Sequence, residues 1–167
     1  MASKAYRNIL LFCLFSICMW FFGNLYEAIV LTPNLLVDSA QKIYSWRALF
    51  TVTNPSFFYI PLSPIAVILI IILFFKTDKK EIMLKKHLRY ACISLLLATA
   101  LGIYIITQIN LKLFFAHGDI AQSDAYKLAL RWNMLNAIRI ILLVFAIYGL
   151  FHAYILTQIN GRKNLSR

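Results

Sequence analysis

The chain has 167 residues, of which 62% are hydrophobic and 14% charged, with a mean hydropathy of +0.75 and a formal net charge of +11. A soluble domain is about half apolar, so this composition excludes an ordinary soluble enzyme, and the length allows one domain. The charge excludes nucleic acid as well: the basic residues flank long apolar runs and leave no soluble basic domain, a pattern that sets membrane topology and touches anionic lipid.

Four runs reach the about 20 apolar residues that a helix needs to cross a bilayer core: residues 9–31, 57–75, 88–109 and 135–156. Because lipid offers the backbone no hydrogen bonds, each is read as a helix. The predicted fold class is therefore all-α: an integral membrane four-helix bundle occupying residues 1–167 as a single domain. Lys4 and Arg7 precede the first run as in a signal peptide. The run is too long for a signal core and no small-residue cleavage site follows, so it is read as a retained helix.

After helix one, residues 39–50 place Ile43, Trp46, Leu49 and Phe50 on one helical face, which predicts a short amphipathic helix lying in the interface. Asn54-Pro55 punctuates the start of helix two, and Pro61 and Pro64 predict a kink within it. Ser123 or Asp124 is the expected N-cap of an extended fourth helix that leaves the membrane through Trp132.

Orientation follows from Lys and Arg in the short loops. The N-terminus, the second loop and the C-terminus hold eleven basic residues: Lys4, Arg7, Lys76, Lys79, Lys80, Lys85, Lys86, Arg89, Arg162, Lys163 and Arg167. The other side holds five: Lys42, Arg47, Lys112, Lys127 and Arg131. Both termini are thus expected in the cytoplasm, in the inner (plasma) membrane of a bacterium. Cys13, Cys18 and Cys92 lie inside apolar runs without metal-ligand spacing and read as reduced, hydrophobic core residues. His87 and His152 fall at the inner ends of helices three and four, where a haem would need a further ligating element that the sequence lacks, and His117 sits in an outer loop. No cofactor or metal is expected. The hexapeptide at residues 105–110, IITQIN, is echoed at residues 155–160 as ILTQIN, with flanks that do not match.

Ionisable residues inside a span are costly and mark sites. Glu27 on helix one and Arg139 on helix four both lie in the outer third of the membrane and are expected to neutralise each other. Asn24 shares the Glu27 face of helix one, and Trp132, Asn136 and Arg139 share one face of helix four. Gln108 and Asn110 close helix three at the same depth; Trp46, Arg47 and Asn54 come from the first outer loop, with Tyr26 and Tyr104 at neighbouring levels. Two readings fit this set: a polar pocket at the outer end of the bundle, or interfacial anchoring around an ion pair that fixes helix packing.

Gly23-Asn24-Leu25-Tyr26-Glu27-Ala28 followed by Pro33, then Trp46-Arg47-Ala48, Asn54-Pro55, Asn110-Leu111, and Arg131-Trp132 with Asn136 and Arg139, resemble in order and spacing the motifs of the anthrone oxygenase-like family. The chain departs from it at Gln108, where many members have Pro, and at Thr32, where many have His. The resemblance covers almost the whole chain and implies a small four-helix membrane protein. Enzymatic members oxidise an anthrone to an anthraquinone with dioxygen and no bound cofactor; many members have no known activity.

On that footing Arg139 stabilises an enolate-like or phenolate oxygen and Glu27 accepts a proton, which makes them the expected catalytic pair. Asn24, Asn110 and Asn136 orient a carbonyl or hydroxyl, while Trp46 and Trp132 stack on a flat lipophilic substrate that arrives from the bilayer. The alternative is a non-catalytic binding or assembly protein. Expected partners are membrane lipids and a lipophilic small molecule, with no nucleic acid.

Overall fold

The structure, a computed structural model, describes residues 4–53, 55–115 and 118–163. The described residues are overwhelmingly helical. In chain order they are α1 (Lys4–Tyr26), a π-helical turn π1 (Glu27–Leu31), α2 (Thr32–Leu35), α3 (Ser39–Leu49), α4 (Pro55–Tyr59), α5 (Ser63–Lys76), α6 (Ile82–Ile105), a second π-helical stretch π2 (Ile106–Phe115), and α7 (Gln122–Lys163). α1, π1 and α2 form one continuous rod, as do α6 and π2.

Four of these rods are long and apolar enough to cross a membrane: Lys4–Leu35, Phe57–Lys76, Ile82–Phe115 and Gln122–Ile159. Each is packed on two neighbours, α1 on α5 and α7, and α6 on α5 and α7, which closes a four-helix ring. Phe15, Phe22, Ile29, Phe75, Phe145 and Tyr148 are among many large apolar side chains left on the outside of that ring. A soluble monomer does not expose so continuous an apolar surface, and lipid is the solvent that suits it. The chain is an integral, multi-pass membrane protein.

The interior has two apolar clusters. One, around Leu10, Ile17, Ile70, Leu88, Leu95, Leu143 and Leu150, fills the half of the bundle nearest the chain termini. Hydrogen bonds from Arg7 to Gln158 and between Tyr6 and Thr77 tie the two ends of the chain and the α5–α6 turn together there. The other cluster joins Leu35, Ile43, Ile105, Ile109, Leu113 and Trp132, beneath α3. Between them, on successive levels of the same helices, lie Asn24, Glu27, Asn136 and Arg139, all buried.

Prolines shape the α3 end. Pro33 has no N–H to give and its ring crowds the preceding turn. The helix widens before it: the Thr32 N–H and hydroxyl both go to the Glu27 carbonyl, the hydroxyl at 3.0 Å. Helix two, expected to kink, is broken outright at residues 60–62, between α4 and α5, and the Ser63 hydroxyl takes the Tyr59 carbonyl at 2.8 Å.

Two local expectations are corrected. α7 begins at Gln122, so Ser123 and Asp124 lie within its first turn instead of capping it; Asp124 and Ala125 give their N–H groups to the Ala121 carbonyl. The Gln122 side chain is engaged elsewhere, accepting from the Ala40 N–H of α3 at 2.8 Å. On α3, Ile43 is fully buried and Trp46 stacks on Phe114 at 5.6 Å, but Leu49 is turned outward. Six positions after Ile43, it has rotated off that face.

Candidate functional site

Glu27 opens π1, and its position at the widened turn leaves its carboxyl buried beneath α4. The Tyr59 hydroxyl donates to it at 2.7 Å. Gly23, one turn earlier on α1, makes this contact available: a Cβ there would sit 2.7 Å from the Tyr59 ring and 3.1 Å from that of Phe58. The Tyr59 ring can therefore come this close to α1 only because position 23 has no side chain.

Arg139 is held from two sides. Asn136, one turn before it on α7, accepts from its Nε at 3.1 Å and its Nη2 at 2.6 Å. Nη2 also donates to the Asn24 side-chain oxygen. The amide nitrogens are used as well: Asn24 gives to the Trp20 carbonyl at 2.6 Å and Asn136 to the Asn24 carbonyl at 3.3 Å. Each asparagine thus spends its side-chain oxygen on Arg139 and an amide N–H on a backbone carbonyl, which fixes the guanidinium. Arg139 Nη1 makes no hydrogen bond among the described residues.

Glu27 and Arg139 were expected to neutralise each other. They make no direct ion pair but attract each other across a gap: among the described residues Glu27 is hydrogen-bonded to Tyr59, and Arg139 to the two asparagines. Instead both line a cavity of about 400 Å³. Its wall is mainly apolar and aromatic, and Trp20, Trp46 and Trp132, all three tryptophans of the chain, contribute to it. Asn110 and Thr99 line it too, and the side-chain oxygens of both are buried without a hydrogen-bond partner among the described residues. Buried polar atoms are normally paired, so these two give the otherwise apolar wall of the cavity hydrogen-bonding groups not used within the described residues.

Both π-helical segments border this cavity, through Glu27 and Leu31 on one side and Ile106, Asn110, Phe114 and Phe115 on the other. Such segments are rare and recur at functional sites. The cavity's cover is α3. Arg47 reaches from it to the carbonyls of Leu113 at 2.8 Å, Gly118 at 3.0 Å and Lys112 at 3.2 Å, which the end of π2 would otherwise leave open. Tyr44 donates to Asp119 at 2.8 Å and accepts from the Ile120 N–H; the Asp119 carboxylate pushes the Tyr44 phenol above its usual value.

Of the residues singled out in the sequence, Glu27, Trp46, Arg47, Asn110, Trp132 and Arg139 line the cavity, and Asn24 and Asn136 stand behind Arg139. Tyr26 and Gln108 face outward. Tyr104 is at the surface, where Arg131 donates to its hydroxyl. Asn54 and His117 lie outside the described residues. Sequence reasoning missed Trp20 and Tyr59. Both look like ordinary membrane aromatics, and the one available signal was Gly23, spaced to admit a ring beside Glu27.

At the other end of the bundle His87 and His152 stack face to face, ring centroids 5.1 Å apart, with Tyr148 edge-on to His152 at 4.3 Å. Cys13, Cys18 and Cys92 are free thiols; Cys13 and Cys92 are buried and point at the carbonyls of Ala66 and Ile70. Comparisons of the chain with protein-family models, with curated proteins and with solved structures each find no match.

Proposed function

We propose that this protein binds a small lipophilic aromatic molecule in the cavity beneath α3 and oxidises it in the manner of the anthrone oxygenases whose motifs it resembles. The observation that carries this reading is a carboxyl group and a guanidinium, from the first and last spans, that face one tryptophan-lined space without pairing. A charge pair that served packing alone would close on itself, because separating buried charges is costly. Here the two charges attract across a gap while each is hydrogen-bonded only to neutral partners, which leaves room for a ligand between them.

The chemistry suits an anthrone. Glu27 takes the acidic ring C–H proton. The resulting enolate oxygen is stabilised by the Arg139 guanidinium, preorganised by Asn24 and Asn136. Dioxygen, the oxidant, takes up electrons from the enolate and bonds to the ring carbon; the peroxide takes back the proton held by Glu27, and the hydroperoxide loses water as its remaining ring C–H proton leaves with the terminal hydroxide and the carbonyl forms. Overall, anthrone and dioxygen give anthraquinone and water. Trp46 and Trp132 supply flat surfaces for the ring system, and Asn110 offers a hydrogen-bonding group to its carbonyl or hydroxyl. The basic residues cluster at the end of the bundle where Arg7 meets Gln158. By the positive-inside rule that end is cytoplasmic, with both termini, and the cavity lies toward the opposite face of a bacterial inner membrane.

The test uses the full chain in lipid nanodiscs with anthrone as substrate, under air and under argon, following anthraquinone by mass spectrometry. Wild type accelerates oxygen-dependent conversion over empty discs, and Arg139→Ala lowers the rate by about 10²-fold or more. Glu27→Gln, which keeps the shape and the Tyr59 contact, lowers it as well. Saturable binding of anthrone without acceleration would instead establish the non-catalytic binding protein, and no binding would overturn both.

A further inference from the structure

The cavity has a closed top and an open side. α3 covers it toward the adjacent membrane surface, and that cover is fastened by the three Arg47 hydrogen bonds, by Gln122 on Ala40 and by Tyr44 on Asp119. Toward the chain termini the bundle is packed solid around Ile70, Leu95 and Leu143. Between helices two and three the wall is different. Ile68 of α5 and Ile103 of α6 line the cavity, yet they are 57% and 59% exposed on the outside of the bundle. Ile60 and Ile106, further toward α3, likewise line the cavity and face out. The same side chains line the cavity and carry large exposed surface, so on this side the cavity wall is also the surface of the bundle.

The two sides of this opening are the least regular parts of the spans. One is the break at residues 60–62, with Pro61 at its centre, where helix two is divided into α4 and α5; the other is π2. Beyond Ile103 lies Gly102, and directly behind it Arg139: a Cβ at 102 would be 3.6 Å from Nη1. The polar groups therefore sit at the deep end of an apolar passage.

Resting on the function proposed above, we propose that the ligand enters sideways from the bilayer, between helices two and three, polar end first, and that Ile68 and Ile103 form the gate. A membrane-dissolved aromatic molecule with one oxygenated edge meets this arrangement without crossing water. Its apolar body replaces lipid against isoleucine while its oxygen advances past Gly102 to the guanidinium.

Tryptophan emission reads the gate directly, since every tryptophan of the chain lines the cavity. Anthrone is mixed with the protein in nanodiscs by stopped flow, and loading is compared in wild type and the double variant Ile68→Phe/Ile103→Phe. Narrowing the gate slows loading by about tenfold and slows release too, whereas a mere loss of contact with the ligand would speed release. Unchanged loading in a folded double variant overturns the lateral route. Should that variant fail to fold, ligand-free wild type decides the matter. Lipids brominated along their acyl chains quench its tryptophans more strongly than aqueous acrylamide if the route is lateral; the reverse order contradicts it. Absence of any anthrone signal in wild type would strike the proposed function, not the route.

Discussion

The two ends of the α6–α7 pair use glycine in opposite ways. Near the termini Gly149 lets the helices press together: a Cβ there would lie 2.8 Å from the His87 carbonyl and 3.3 Å from Ala91. Near α3, Gly102 holds the surface back, and the nearest atom to its missing Cβ is the Arg139 guanidinium at 3.6 Å. Close backbone approach is how helices associate in lipid, where no hydrophobic force separates helix from tail. The bundle thus takes its cohesion from the packed half and can leave the other half hollow. The near-identical hexapeptides at 105–110 and 155–160 make the same point. In the packed half the sequence stays α-helical; in the hollow half all but its first residue is part of a π-helix. Surroundings, not local propensity, decide the outcome.

Paired substitutions sharpen this contrast. Gly149→Ala forces a backbone contact apart and costs about 1–3 kcal/mol of stability, read as resistance to unfolding in detergent, whereas Gly102→Ala fits within ordinary contact distance and leaves stability unchanged. Equal losses at the two positions would break the comparison. A smaller effect is expected at Gly23→Ala. Its Cβ lifts Tyr59 off α1, freeing Glu27 from its hydrogen bond, and weakens anthrone binding by about tenfold, or about 1.4 kcal/mol, with little change in stability because α4 is already separated from α5.

The four spans were legible because about 20 apolar residues in a row have one common use, and Glu27 and Arg139 stood out because charge within such a run is costly. Their surroundings were less legible. Spacing put Asn136 on the Arg139 face and Asn24 on that of Glu27, but whether an amide turns toward a ligand or toward a neighbouring guanidinium depends on side-chain rotamers on two helices at once. Tyr59 was hidden for a similar reason. It reaches Glu27 through a proline break whose direction is set by packing on Gly23. The second π-helical segment leaves no sequence signature, as the repeated hexapeptide shows, and the first is marked only by Pro33.

The central claim is that the hollow half is a ligand site and not merely loose packing. Val67 lines the cavity from α5, and Val67→Phe takes up part of the space while Glu27, Arg139 and their hydrogen-bonding partners keep their own side chains. Titrating anthrone against tryptophan emission in nanodiscs should give saturable quenching in wild type and none in a folded Val67→Phe variant. Non-saturating quenching of equal slope in both would show that the molecule merely dissolves in the bilayer and that the cavity holds nothing.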